Sequence, residues 1–95
     1  MLAIGTVAVA ENQPDYTMLK GTGERRVRRH INLSGFNVQP KISVSICAFD
    51  ILDGHNHRLD VFAENVTANG FDVVFKTWAD TQVWGAAATW IAYAP

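Results

Sequence analysis

Two indoles stand six residues apart in "KTWADTQVW", Trp78 and Trp84, with Asp80 between them. An indole face packs on an apolar ring face, and a carboxylate beside it reads hydroxyl groups. The chain also carries a guanidinium at Arg58, a carboxylate at Asp60 and imidazoles at His55 and His57. Arg, Asp and Trp on one surface form a binding chemistry. It suits a sugar, whose ring is apolar on one face and hydroxylated at its edge. The plain alternative is that Trp78 fills a subunit interface or covers a sheet edge, where Trp is also enriched.

Catalytic and metal readings find less support. His55 and His57 sit two apart in a turn-like run, with no third ligand at a metal spacing, so neither a metal nor a cofactor is expected. Asp50, Asp53 and Asp60 resemble a glycosidase pair only in composition. Asp50 closes a strand-like run, and Asp53 belongs to a turn. No nucleophile motif or phosphate loop is present, and "GTG" (21–23) is too short to count as one, so no enzyme activity is expected. "ERRVRRH" (24–30) holds four of the five arginines. It reads either as a patch for anionic polymers, centred on Arg25, Arg26, Arg28 and Arg29, or as a strand whose arginines pair with Asp60, Glu64 or Asp72 across a subunit interface. The net charge of −1 argues against a nucleic-acid partner. "NVT" (65–67) is a glycosylation acceptor only in a secretory pathway.

The elements that must position these groups are strands. No window holds an apolar i, i+3, i+4, i+7 pattern for three turns. Instead, alternation recurs at 25–33, 41–51, 58–65, 71–78 and 83–94, with β-branched and aromatic enrichment. "MLAIGTVAVAEN" reads as a further strand through Ile4, Val7 and Val9. It lacks a basic leader and is too short to span a bilayer, so a soluble chain without signal peptide or membrane insertion is expected, acting at cell surfaces if it binds sugars. At 95 residues, one domain over 1–95 is expected. Pro95 is expected to close it directly after the last strand, without a partner domain. Cys47 is the lone cysteine, so no intrachain disulfide forms. It lies off the apolar parity of its strand, which places it either against a neighbouring protomer or in a buried position.

Asp53-Gly54 and Asn69-Gly70 separate consecutive runs with residues that tolerate positive φ. The C-terminal half therefore reads as a meander, and the whole as a small antiparallel sandwich. Across Asn69-Gly70, Leu59, Val61 and Ala63 should share the core face with Phe71, Val73 and Phe75, so odd pairs with odd. A five-residue loop sets Arg58 opposite Trp78 and Asp60 opposite Lys76. A three-residue loop sets Asp60 opposite Trp78 and Arg58 opposite Asp80. Both gather Arg58, Asp60 and Trp78 on one non-core face, with Asp80 at its margin.

Over residues 25–94, "PKISVSICAFDI", "NHRLDVFAENVTANGF", "KTWADTQVW" and "TWIAYA" in order resemble the H-type lectin domain, the fold of snail agglutinins and of the C-terminal part of slime-mould discoidins. The resemblance implies an all-β, six-stranded antiparallel sandwich that assembles as a trimer, sometimes as paired trimers. It implies metal-free binding of galactose-type sugars, above all N-acetylgalactosamine, at sites between protomers. The family's site Arg falls on Arg58 and its site Trp on Trp78. Its following His is Ala79 here, and its later Tyr is Trp84. Its Gly and Asp in the loop before the first long strand fall nearest to Gly21, Gly23 and Glu24. Ala79 brings no polar group to the site, and Asp80 is placed to supply one in its stead. Trp90 belongs to the fold signature. The implied function is multivalent glycan binding, as in an agglutinin or adhesion lectin, through a trimer or hexamer. Two rivals stand beside it: a trimeric structural or adhesion module, for example of a phage-like particle, that no longer binds the sugar, and an anionic-polymer binder through Arg25–Arg29.

Overall fold

The alternating runs form six strands in the computed structural model, which describes residues 1–95: β1 Leu2–Ala10, β2 Arg25–Asn32, β3 Lys41–Ile51, β4 Asp60–Thr67, β5 Gly70–Thr77 and β6 Val83–Tyr93. They make two three-stranded antiparallel sheets, β1-β6-β3 and β2-β5-β4. No helix is long and apolar enough to cross a membrane.

The two central strands supply opposite halves of the core. Phe71, Val73 and Phe75 of β5 are buried with the small Ala86, Ala88 and Ala92 of β6, so large side chains fill the space small ones leave. Trp90 joins them, edge-on to Phe71 at 5.3 Å, and Gly5 lies so close to its ring that any side chain there would collide. Met18 and Phe36, from the connections on either side of β2, plug the ends. The inward parity of β1 is Ala3, Val7 and Val9, whereas Ile4 is 64% exposed on the outer face.

The expected meander is not formed. β3 pairs with β6, and the bend through Asp53-Gly54 carries the chain from one sheet to the other instead of closing a hairpin. Gly54 does take a positive φ of 88°. Between β5 and β6 the chain crosses back. Only β4–β5 is a hairpin of neighbours, and it keeps the five-residue register: Asp60 lies opposite Lys76, Val61 opposite Phe75 and Ala63 opposite Val73. A bulge then shifts the pairing, so that Thr67 meets Gly70. The positive φ falls on Asn65, at 55°, and neither Asn69 nor Gly70 adopts one. Gly70 is needed for a different reason: a side chain there would strike the Ile31 carbonyl on β2.

A second bulge, at Cys47 on β3, breaks the pairing between Ile46 and Ala48. Cys47 is exposed, which removes the buried reading of its thiol. At the far pole the chain ends meet: the Met1 ammonium donates to the Ala94 carbonyl at 2.7 Å, and Ala94 N–H donates back to the Met1 carbonyl at 3.0 Å.

Candidate functional site

The outer face of the β2-β5-β4 sheet is a grid that follows from its register. Arg26, Lys76 and Asp60 form one row, then Arg28, Val74 and Phe62, then His30, Asp72 and Glu64. One step beyond the ladder, the same register sets Glu24, Trp78 and Arg58 in a row. Cross-strand neighbours of opposite charge stabilise such a face, and here they pair throughout its lower part. Arg26 meets Glu24 at 2.8 Å and Glu64 at 3.6 Å; Arg28 meets Glu64 at 3.4 Å and Asp72 at 3.2 Å; His30 Nδ1 lies 2.8 Å from Asp72. Arg26 also lies over the Phe62 ring, and Val74 beneath this layer is fully buried. The side chain of Asn65, then His30 and Arg28, hold the Asp72 carboxyl below its usual range.

These pairs lie within one chain, and Glu64 and Asp72 are the partners where the sequence pointed to pairing across protomers. Asp60 is not among them. Arg29 is held by Asp15 at 2.6 Å and by Gln13. Arg25 is committed to main-chain carbonyls: its Nε donates to Gly23, its Nη1 to Met18, Lys20 and Thr81, and its Nη2 to Ala79. The basic run is therefore an internally satisfied strand and not an open anion patch.

The exception is the upper corner. Neither the Arg58 guanidinium nor the Asp60 carboxylate has a hydrogen bond or ion pair. Main-chain contacts nevertheless place Arg58 firmly. The fully buried Thr77 hydroxyl donates to the Arg58 carbonyl at 2.6 Å, and the fully buried Thr81 hydroxyl accepts from Arg58 N–H at 3.1 Å while donating to the Asn56 carbonyl at 2.7 Å. Trp78 beside it is half-buried, and the Lys76 ammonium lies 5.4 Å from its ring centre. Ala79 turns the chain with a φ of 59°, a conformation costly for a residue with a side chain. Its carbonyl accepts from Gly23 N–H at 2.9 Å, which brings the 20–24 loop against the turn. Gly21 and Gly23 supply positive φ there, at 83° and 80°. Glu24 reaches across to Lys76 at 3.6 Å.

Two predicted members stand apart. Trp84 is exposed at the start of β6, in the other sheet, and no ring contact or hydrogen bond joins it to Trp78 or Arg58. Asp80 is not a free acceptor. Its Oδ1 takes the side-chain amide of Asn56 at 2.8 Å and the Asn56 N–H at 3.2 Å, and its Oδ2 faces His55 Nδ1 at 3.3 Å. It ties the 54–57 bend to the Trp78 turn. His57 lines a separate apolar groove of about 230 Å³ with Ile46, Phe49, Ile51 and Leu59. None of the four surface hollows is lined by Trp78 or Arg58, so the corner is an open shelf. Reasoning from sequence missed Arg25, Thr77, Thr81 and Asn56. The threonines on either side of the Trp78 turn are the one local sign of the clamp.

The Asn56 amide, then its N–H, then His55, hold the Asp80 carboxyl below its ordinary 3.8. A depressed carboxyl stabilises the fold above its unfolded value and loses that contribution as pH falls through the folded one. The Asp80 carboxyl carbon resonance is therefore expected to titrate below the ordinary 3.8. An inflection at or above the ordinary value would remove Asp80 as the tie. Near the start of the connection between β1 and β2, burial and then the nearby Asp50 and Glu11 push the Tyr16 phenol far above its usual range, so it remains a donor to the Val83 carbonyl.

The fold has known counterparts. The profile described as "H-type lectin domain" matches residues 32–93. A protein of Fuscovulum blasticum described as "ATP synthase subunits region ORF 7" is 37% identical over 76 residues, covering 79% of this chain and 66% of that protein. One of the discoidin-1 polypeptides of Dictyostelium discoideum is 34% identical over 76 residues, covering 78% of this chain and 30% of its own. The structure of recombinant discoidin II from the same organism superposes with a TM-score of 0.84 at 28% identity, over 97% of this chain and 36% of that one. The chain thus spans just under two thirds of the first relative and about a third of the discoidins.

Proposed function

Because the chain belongs to the H-type lectin domain family, we propose that it is a non-catalytic carbohydrate-binding lectin whose ligand rests on Trp78 and is gripped by Arg58. The observation that carries this is the unpaired Arg58 and Asp60 beside a half-buried indole, on a face where every other charge has a partner. A guanidinium and a carboxylate left free next to an aromatic plate supply donors, acceptors and a stacking surface together. The proposed ligands are terminal galactose-type sugars such as N-acetylgalactosamine, on glycoproteins, glycolipids or cell-surface polysaccharide. Gly21, Gly23, Glu24, Ala79 and Asp80 frame the shelf, and Trp84 of a neighbouring copy is proposed as its wall.

The unit proposed is a homo-trimer of 1–95, with pairing of trimers as its extension. Two features support association. The corner is open, which suits a site completed by a neighbour. The outer face of the other sheet also exposes Leu2 opposite Tyr93 and Ile4 opposite Ile91, rows that one chain leaves uncovered. Ile91→Lys, in the middle of this face, is expected to yield folded monomers by native mass. An unchanged oligomer would move the interface elsewhere. Equal sites on one assembly raise avidity by roughly a hundredfold or more.

A trimeric structural or adhesion module without a sugar is the second reading, and the bare methyl of Ala79 at the shelf favours it. One experiment separates the two: a glycan array probed with the purified protein, with native mass on the same sample. Binding to terminal galactose-type sugars by a three- or six-chain species supports the lectin. A folded oligomer that binds nothing supports the module.

A further inference from the structure

We propose that Lys76 makes the Trp78 shelf selective for acidic sugars: a galactose-type pyranose bearing a carboxylate or sulfate, preferred over its neutral counterpart. This rests on the lectin reading and sharpens it. The Lys76 ammonium lies over the indole, 5.4 Å from its centre, so a sugar ring stacking on that face takes the ammonium's place and leaves it at the ring's edge. Carried one step past the Asp60–Lys76 pair, the β4–β5 register sets Arg58, whose guanidinium is unpaired, opposite Trp78. A second cation therefore stands on the strand beside the indole.

The least committed charges around the indole are cations. In its row and the next, Arg58, Lys76 and Arg26 face Glu24 and Asp60, and Arg26 also engages Glu64 at 3.6 Å, which leaves Arg58 unpaired and Lys76 only loosely held. Glu24 is shared: it holds Arg26 at 2.8 Å and Lys76 only at 3.6 Å, with its own side chain half exposed. Arg26 is the main cause that keeps the Glu24 carboxyl below its usual range, and Lys76 is a lesser one. Lys76 can thus swing from Glu24 to a ligand anion without leaving Glu24 unpaired. Asp60, diagonal to the indole, remains as an acceptor for ring hydroxyls. Asp80, the remaining carboxylate nearby, is engaged by Asn56 and His55.

The test compares β-galactoside with 3-O-sulfogalactoside and galacturonide, on the intact protein, by titration. Wild type is expected to bind the acidic ligands about 3–5-fold more tightly at low salt, the size of one exposed charge pair. That preference should shrink in about 0.5 M salt, where charges are screened within a few ångströms. Lys76→Met is expected to bring the acidic-to-neutral ratio near one, and Lys76→Arg to keep it, which separates charge from mere packing. Thermal unfolding of each variant checks the fold. Neutral and acidic sugars bound equally by wild type, or a preference that survives Lys76→Met, would overturn the role of Lys76 and leave the lectin reading standing. Folded wild type that binds none of the three would overturn both.

Discussion

Replacing Arg25 by Met is expected to lower the midpoint of thermal unfolding by about 10–20 °C. The side chain holds five carbonyls, from Met18, Lys20, Gly23, Ala79 and Thr81. Met keeps much of the stem, so the loss reports on the guanidinium. Met18 and Ala79 each retain one main-chain donor, from Val83 and Gly23. The carbonyls of Lys20, Gly23 and Thr81 lose a charge-assisted bond, and Thr81 is fully buried. Bonds to a charged group contribute about 1.5–3 kcal/mol, and orphaned buried acceptors add to the loss. A net of about 2–3 kcal/mol translates to that shift for a chain of this size. Lys at this position should recover only part of it, because an ammonium has no planar fork to reach both segments at once. A midpoint within about 3 °C of wild type would show that water satisfies these carbonyls equally well, and that Arg25 is not what joins the 18–24 loop to the Trp78 turn.

The second large effect is on binding. Trp78→Ala is expected to reduce the affinity for a monovalent sugar about 30–100-fold, and to abolish detectable capture on an array. Removal of a central aromatic anchor costs about 2 kcal/mol or more. The fold should persist, since Trp78 stands outside the core cluster that contains Trp90, Phe71 and Phe75. Its cation–π contact with Lys76 is exposed and contributes less than about 1 kcal/mol. Far-ultraviolet dichroism and native mass measured beside the affinity decide the matter. Dissociation into monomers alongside the weaker binding would make Trp78 an interface residue, and an unchanged affinity would remove it from the site.

What the sequence disclosed follows from how local each signal is. Parity along β5 is set by which residues must leave water, and Phe71, Val73 and Phe75 are all fully buried as their spacing requires. The same parity constrained the β4–β5 register to two choices, one setting Arg58 and the other Asp60 opposite Trp78, and the ladder takes the first, with Asp60 opposite Lys76. Pairing between distant strands left no such mark. Asp53-Gly54 has the residues of a tight turn, yet β3 finds its partner in β6, some forty residues away, and the turn only bends a crossing between sheets. Asn69-Gly70 has the same signature. There, the glycine answers to the Ile31 carbonyl and the positive φ moves to Asn65. "RRVRR" looked like a free cationic patch because its partners, Asp15, Glu64 and Asp72, are remote in sequence. Main-chain carbonyls, which take up Arg25, are carried by every residue and so are invisible in composition.

The meeting of Met1 with Ala94 closes the chain almost into a ring. A unit whose ends share one pole needs only a short splice to become circular, and the exposed 52–56 bend offers a place to reopen it without cutting a strand. It also enters and leaves at a single point. Such a unit can be grafted into one loop of a host protein as a plug-in module. Copies strung in tandem would hang from their linkers like beads on side stalks, each with its Trp78 shelf at the opposite pole and facing outward.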